Sequence, residues 1–273
     1  MLMTALLYII VFFYGIVFGS FLNVLILRLP LKENIATERS HCMSCNHVLA
    51  WYDLFPLFSY LCLGGKCRYC KAKISKQYPI VEALNGFGYL LIFAVMHLRY
   101  GTLLDAHALS YGILISLCYS IFIVITVIDW RTYEIPFSLN VCIFVLGVIK
   151  IVAEILIDGF NGFRLLEYAI GFCAVSGFML ICLYIGRAIK SIDAFGGGDI
   201  KLMAAAGVFM GWKNIILAFI IGCVLGAIIH SIRIRVSNAD KVLAFGPYLC
   251  AGILTVMLYG DTILNWYLSL MFH

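Results

Sequence analysis

Long apolar runs decide what this chain can fold into. Eight stretches carry few charges, at about residues 5–27, 80–98, 108–128, 138–157, 165–187, 199–211, 214–232 and 246–268. A helix needs roughly 20 residues to cross the hydrocarbon of a bilayer. Inside lipid, an α-helix satisfies its backbone polar groups internally. The chain therefore reads as an all-α integral membrane protein of about eight transmembrane helices. Composition agrees: 64% of the 273 residues are hydrophobic and 12% charged, whereas a soluble domain carries about 25% charged residues. The first run lacks a basic start and a small-residue cleavage site, contains Asn23, and ends at Arg28 and Pro30. It is expected to stay as a first helix.

Three regions follow: a first helix over 1–29, a polar loop over 30–79, and a polytopic core over 80–273. Lysine and arginine orient them, because basic loops stay cytoplasmic. The segment 28–79 holds Arg28, Lys32, Arg39, Lys66, Arg68, Lys71, Lys73 and Lys76. With eight spans it shares a side with 129–137, 188–198 and 233–245, which add Arg131, Lys190, Arg233, Arg235 and Lys241. The other side has Arg99, Arg164 and Lys213. The large loop is expected in the cytoplasm, with both termini outside. The net charge of +5 then reflects topology and contact with the lipid bilayer and gives no case for nucleic acid.

Four of the eleven cysteines fall in the polar loop as two C-x2-C pairs, Cys42/Cys45 and Cys67/Cys70, separated by 21 residues. Each pair offers two thiolates from one turn, and zinc favours a tetrahedron of such ligands. The spacing is close to that of zinc ribbons. A reducing compartment disfavours disulfides. Four cysteines fill the shell, so a structural Zn2+ is expected, with His41 and His47 as bystanders. Cys118, Cys142, Cys173, Cys182, Cys223 and Cys250 lie in apolar runs and read as small buried hydrophobes.

Acids within membrane segments are costly and mark function. Asp129 closes the third run, and Asp199 opens the sixth directly after Gly196, Gly197 and Gly198. Topology places both at the cytoplasmic ends of their helices, where they can meet. Two adjacent carboxylates share a proton. Helix polarity predicts that Asp199, at an N-terminus, is mainly the anion and Asp129, at a C-terminus, mainly the acid. Such a pair can activate water and protonate a leaving amine. The glycines are expected to form a loop that lets a substrate backbone approach. From Asp199 to Gly211 the sixth run is short for a bilayer, which puts Asp199 below the inner surface. Among the other acids, Asp193 reads as a loop residue, Asp105, Asp158 and Asp261 lie on the outer side, and Glu134 could meet a basic substrate segment. Glu82, beside the membrane, could pair with a loop lysine or serve a second site. Gly15/Gly19, Gly207/Gly211 and Gly222/Gly226 have the spacing of helix-packing motifs.

These motifs together resemble the bacterial prepilin peptidases, or type IV leader peptidases, of the GxGD aspartyl class. The segment Gly19 to Val24 with Arg28-Leu29-Pro30 looks like the first-helix signature, and Tyr78 to Glu82 like the segment that closes the cysteine loop. Asp129 with Ile135-Pro136, Phe195 to Leu202, and Phe245-Gly246-Pro247 look like the remaining motifs. The family often has an acid where this chain has Phe137. The resemblance implies an endopeptidase that removes the basic leader of prepilins and pseudopilins at the cytoplasmic face of the inner membrane, commonly after glycine. It also implies N-methylation of the new terminus with S-adenosylmethionine, in type IV pilus or type II secretion systems. No Gly-rich dinucleotide-binding unit is present, so the methyl donor rests on the resemblance alone. Two further readings stand beside it: a GxGD protease that cuts within transmembrane helices, and a carboxylate-based proton or cation transporter. A zinc-containing scaffold without catalysis is a third.

Overall fold

The structure is a computed structural model that describes residues 2–35, 39–190, 195–237 and 243–271. Among them are nine α-helices: α1 (Leu2–Arg28), α2 (Phe58–Cys62), α3 (Gln77–Tyr100), α4 (Ala106–Thr132), α5 (Phe137–Asp158), α6 (Gly162–Lys190), α7 (Gly197–Met210), α8 (Trp212–Ser237) and α9 (Gly246–Met271). A 3-10 turn covers Trp51–Asp53, and the only β pairing among the described residues is two isolated bridges. The chain forms two compact units, residues 1–112 and 113–273.

In the first unit α1 and α3 pack tightly because glycines remove the side chains between them. A Cβ on Gly15 would lie 2.8 Å from the Gly86 Cα, and one on Gly19 would lie 2.7 Å from the Glu82 Cα. Small residues supply this close approach where lipid offers no hydrophobic drive. Buried amides seal the seam. Asn85 Nδ2 donates to the Gly15 carbonyl at 2.7 Å, and Asn23 Nδ2 donates to the Gly19 and Tyr78 carbonyls, each at 3.3 Å. Glu82 is buried, and its Oε2 accepts the Leu57 N–H at 2.8 Å. The sequence left open a pairing with a loop lysine or a second site, and the bond formed here is to a loop backbone N–H.

The second unit is organised around α7. Eleven of its fourteen residues are buried, Asp199 and Met210 among them. A helix that is apolar all round belongs inside other helices, and α7 packs against α5, α6, α8 and α9. Gly171 and Gly207 bring the α6 and α7 backbones into direct contact, so a Cβ on either would strike the other backbone. Gly211 ends α7 with a φ of 77°, a conformation that costs a side-chain-bearing residue energy.

Among the described residues seven helices are long and apolar enough to cross a membrane, against the approximately eight expected. The exception is α7, whose fourteen residues reach about 21 Å against hydrocarbon roughly 30 Å thick. It begins at Gly197, two residues before the expected start, because Gly197 and Gly198 adopt helical backbone. The cysteines of the apolar runs also divide. Cys118 and Cys250 are buried as expected, whereas Cys142 and Cys173 lie on outer helix faces.

A buried polar network links α5 to α6. Lys150 Nζ lies 2.9 Å from Glu154 Oε1 and 2.6 Å from the Tyr168 hydroxyl, which donates to Glu154 Oε2 at 2.6 Å. Removing one partner of a buried pair leaves the other charge uncompensated, whereas replacing both by apolar groups can be neutral. Glu154→Leu is therefore expected to destabilise the protein by about 3 kcal/mol. Adding Lys150→Met should restore most of that loss. Detergent unfolding midpoints of the single and double variants check this.

Candidate active site and metal centre

Both predicted aspartates are buried, with 4% exposure for Asp129 and 9% for Asp199. Asp129 lies in the last turn of α4, and its Oδ2 accepts the Gly246 N–H at 2.9 Å. Gly246 is the first residue of α9. The first N–H groups of a helix have no partner within it, so the Asp129 carboxylate caps α9 from another helix. A Cβ on residue 246 would sit 2.8 Å from Asp129 Oδ2, which makes glycine the residue that admits the bond. Asp129 thus meets the positive end of α9 as well as the negative end of α4. The proton bias expected from α4 alone loses its basis here.

Asp199 is the third residue of α7, after the cap residue Gly196 and the helical residues Gly197 and Gly198. Its carboxylate reaches back to the Gly196 N–H, the acid half of a capping box. Its Oδ1 is buried without a partner among the described residues. The expected three-glycine loop is thus only partly a loop: Gly196 alone of the three stands outside the helix.

Several contacts bring the two acids to one place. Ile135 separates the starts of α7 and α9: Cβ atoms on Gly198 and Gly246 would lie 2.9 and 3.2 Å from its side chain. The charges of Asp129 and Asp199 act on each other, and both act on buried Cys250 one turn into α9. Asn140, 3% exposed on α5, donates from Nδ2 to the Gly198 carbonyl at 3.3 Å. The Phe195 ring sits 6.1 Å from that of Phe245 and 6.3 Å from that of Phe219. Phe137, which replaces an acid common in the family, lies under Lys201, with Nζ 4.9 Å from the ring centre. A cation on an aromatic face is a favourable pair.

The other acids have structural or surface positions. Asp105 caps α4 by accepting the N–H groups of His107 and Ala108 at 2.9 and 3.1 Å. Asp158 pairs with Arg164 at 2.7 Å. Glu134 and Asp261 are exposed, and Asp193 lies outside the described residues. Sequence reasoning quoted Gly246 within a motif but gave it no role, and it passed over Asn140. The signal for Asn140 was an amide in an apolar run, one turn after Pro136.

The four loop cysteines also converge. The Sγ atoms of Cys42, Cys45, Cys67 and Cys70 all lie within 4.8 Å of one another, with Cys42 and Cys70 3.8 Å apart. Zn–S bonds of about 2.3 Å in a tetrahedron give sulfur separations of about 3.8 Å. The two knuckles repeat one pattern. Cys42 N–H donates to the His47 carbonyl at 3.0 Å, and Cys67 N–H to the Ala72 carbonyl at 2.8 Å. Asn46 and Lys71, each following its second cysteine, turn the chain with φ of 54° and 60°. The backbone N–H groups of Ser44 and Cys45 lower the Cys42 thiol to about 6, toward the thiolate a metal needs. His41 and His47 are not in the cluster. The His47 ring lies against that of Tyr69 in a tilted arrangement, with centroids 3.7 Å apart.

Asp53, which sequence reasoning missed, braces this module. It accepts from Arg68 Nε at 2.7 Å and from the Tyr69 hydroxyl and Ala50 N–H, each at 3.3 Å. Arg68 and Tyr69 are the two residues inside the second C-x2-C pair. Burial pushes the Asp53 carboxyl up, and these donors outweigh it and hold it below its usual range.

A bundle of membrane helices with a buried acid pair, one at the end of α4 and one at the start of α7, plus a four-thiol loop that could hold a metal, defines a membrane protein of aspartyl-protease type. The chain belongs to the type IV leader peptidase family. The description "Type IV leader peptidase family" matches residues 116–231, and "Bacterial Peptidase A24 N-terminal domain" matches residues 13–96. A relative from Aeromonas salmonicida (strain A449), named prepilin leader peptidase/N-methyltransferase, is 30% identical over 95% of this chain and 93% of its own length. A protein of the same name from Pseudomonas aeruginosa is 30% identical over 93% of this chain and 91% of its own. Another from Myxococcus xanthus (strain DK1622) is 34% identical over 80% of this chain and 60% of its own. No solved structure matches the chain.

The geometry of the sulfur cluster makes a direct prediction. Cys42→Ser or Cys67→Ser is expected to remove essentially all bound metal from the purified protein, as read by elemental mass spectrometry. His41→Ala and His47→Ala should leave the metal content unchanged.

Proposed function

We propose that this chain is a membrane aspartyl endopeptidase that removes the basic leader of prepilins and pseudopilins, and that it then N-methylates the new terminus. The observation that carries the first activity is the pair Asp129 and Asp199, buried together and each braced by a backbone N–H at a glycine. Two carboxylates that share a buried site retain one proton. The anionic member takes a proton from water as the water attacks the scissile carbonyl. The protonated member donates to the carbonyl oxygen. Collapse of the tetrahedral intermediate breaks the C–N bond, and the amine leaves with a proton from the dyad. Gly196, Gly197 and Gly198 give a substrate backbone room beside Asp199, and nothing lies within 4 Å of where a Gly197 Cβ would be.

The substrate class follows from the surroundings. A prepilin carries a basic leader followed by an apolar helix. That helix would lie against the membrane-spanning surface of the enzyme, with the junction at the helix ends that carry the acids. The excess of lysine and arginine in the loop 28–79 supports a cytoplasmic position for that loop in a bacterial inner membrane. Exposed Glu134 could receive the basic leader.

Cys42, Cys45, Cys67 and Cys70 would hold Zn2+ as a closed structural site, which fits four converging thiols with no other donor in the cluster. The ion would order a loop that has little core of its own. Residues 30–79 are assigned to the methyl-transfer half, with S-adenosylmethionine as donor, on the double name of the relatives.

Asp129→Asn and Asp199→Asn are each expected to reduce prepilin cleavage at least a thousandfold, measured by gel shift in detergent. The helical circular dichroism and metal content should stay unchanged. A variant of either kind that retains a tenth of wild-type turnover contradicts the dyad.

A further inference from the structure

Asn140 is buried to 3% exposure in a run otherwise built for packing, between Leu139 and Val141 and one turn before Ile143. Its Nδ2 donates to the Gly198 carbonyl at 3.3 Å. Its Oδ1 is buried and has no partner among the described residues. The orientation of an amide is set by its bonds, and a carbonyl neighbour requires the NH2 end toward it. A carbonyl in the first turn of α7 already has the N–H four residues on to accept. The fold therefore does not need Asn140 to satisfy Gly198. Burying an amide with an idle acceptor is unfavourable, and an apolar side chain of like size would suit the packing better.

The place where this cost is borne is informative. Gly198 immediately precedes Asp199, so the side chain on α5 fixes the peptide that aims that carboxylate. Asp199 is the neighbouring group whose Oδ1 also lacks a partner. Among the described residues its anchor is the Gly196 N–H in the same turn, which cannot hold the turn against sliding relative to α5. Ile135 limits Gly198 from the other side by contact alone.

We infer that Asn140 is a positioning residue of the peptidase, fixing the first turn of α7 and so the direction of Asp199. This rests on the endopeptidase reading above. The test compares prepilin cleavage by wild type, Asn140→Leu, Asn140→Thr and Asn140→Val in detergent, with thermal midpoints of each. The wild type must cut for the comparison to begin; if it does not, the peptidase reading itself has failed.

The expected result for Asn140→Leu is at least a tenfold loss in kcat, with KM within about twofold and a midpoint equal to or above wild type. Thr and Val have the same shape, but only Thr keeps a donor. Asn140→Thr should therefore exceed Asn140→Val in kcat by at least fivefold at equal midpoints. If Leu cannot be recovered folded, the Thr and Val pair decides alone. Equal kcat for Thr and Val, or losses in kcat that follow losses in midpoint, would overturn the inference and leave Asn140 a packing role.

Discussion

The hydrogen bond from the Gly246 N–H to Asp129 is the interaction on which the rest of the second unit depends. It joins two residues 117 positions apart, is buried, and is 2.9 Å long. A bond from a backbone donor to a carboxylate contributes about 1.5–3 kcal/mol. It satisfies the start of α9 and the acid at the end of α4 at once. Either group left alone in an apolar interior would be costly. Because a side chain at residue 246 would strike the carboxylate, the pairing also fixes which residue can open α9. Ile135 then fills the space between this junction and the start of α7, and Asp199 is brought to Asp129 as a consequence.

A short helix suits that arrangement. An ordinary spanning helix would carry its first turn to the membrane boundary and into water. The α7 helix is surrounded by α5, α6, α8 and α9 and stops at Gly211, and although its first residue, Gly197, is exposed, every residue from Asp199 to Met210 except Lys201 is buried. Its acid therefore stays buried. The cost of keeping it so is offset by the Gly196 N–H and the helix start. The cysteine module solves a different problem by a related device. It has almost no apolar core, so sulfur geometry and the Asp53 bonds to Arg68 and Tyr69 order it. In both places a single carboxylate ties together segments distant in sequence.

Much of this was legible in the sequence. Uninterrupted apolar runs state their own fate in a membrane, and seven long helices answer to them. The C-x2-C pairs were equally plain, because a short loop can place two thiols but has little else to fold around. Asp129 and Asp199 stood out because an acid at the edge of an apolar run needs a reason. What the sequence left hidden was partnership across distance. Nothing local to Gly246 says that its N–H meets Asp129, and nothing local to Asn140 says that its amide meets Gly198. Helix polarity was an incomplete guide at Asp129, because the sequence shows the helix it belongs to and not the one it caps. The glycines before Asp199 read as a loop because they lack side chains, yet Gly197 and Gly198 form the first turn of α7.

The central claim is that Asp129 and Asp199 act as one unit on one carbonyl. The most direct measurement is the affinity of a prepilin peptide in which a hydroxyethylene group replaces the scissile amide, for wild type, each Asp→Asn variant and the double variant. A tetrahedral mimic is held by both carboxylates together. The account predicts that each single substitution weakens binding about a hundredfold, roughly 2.7 kcal/mol, and that the double variant binds no more weakly than either single one. Losses that add, or a single variant that binds like wild type, would contradict it.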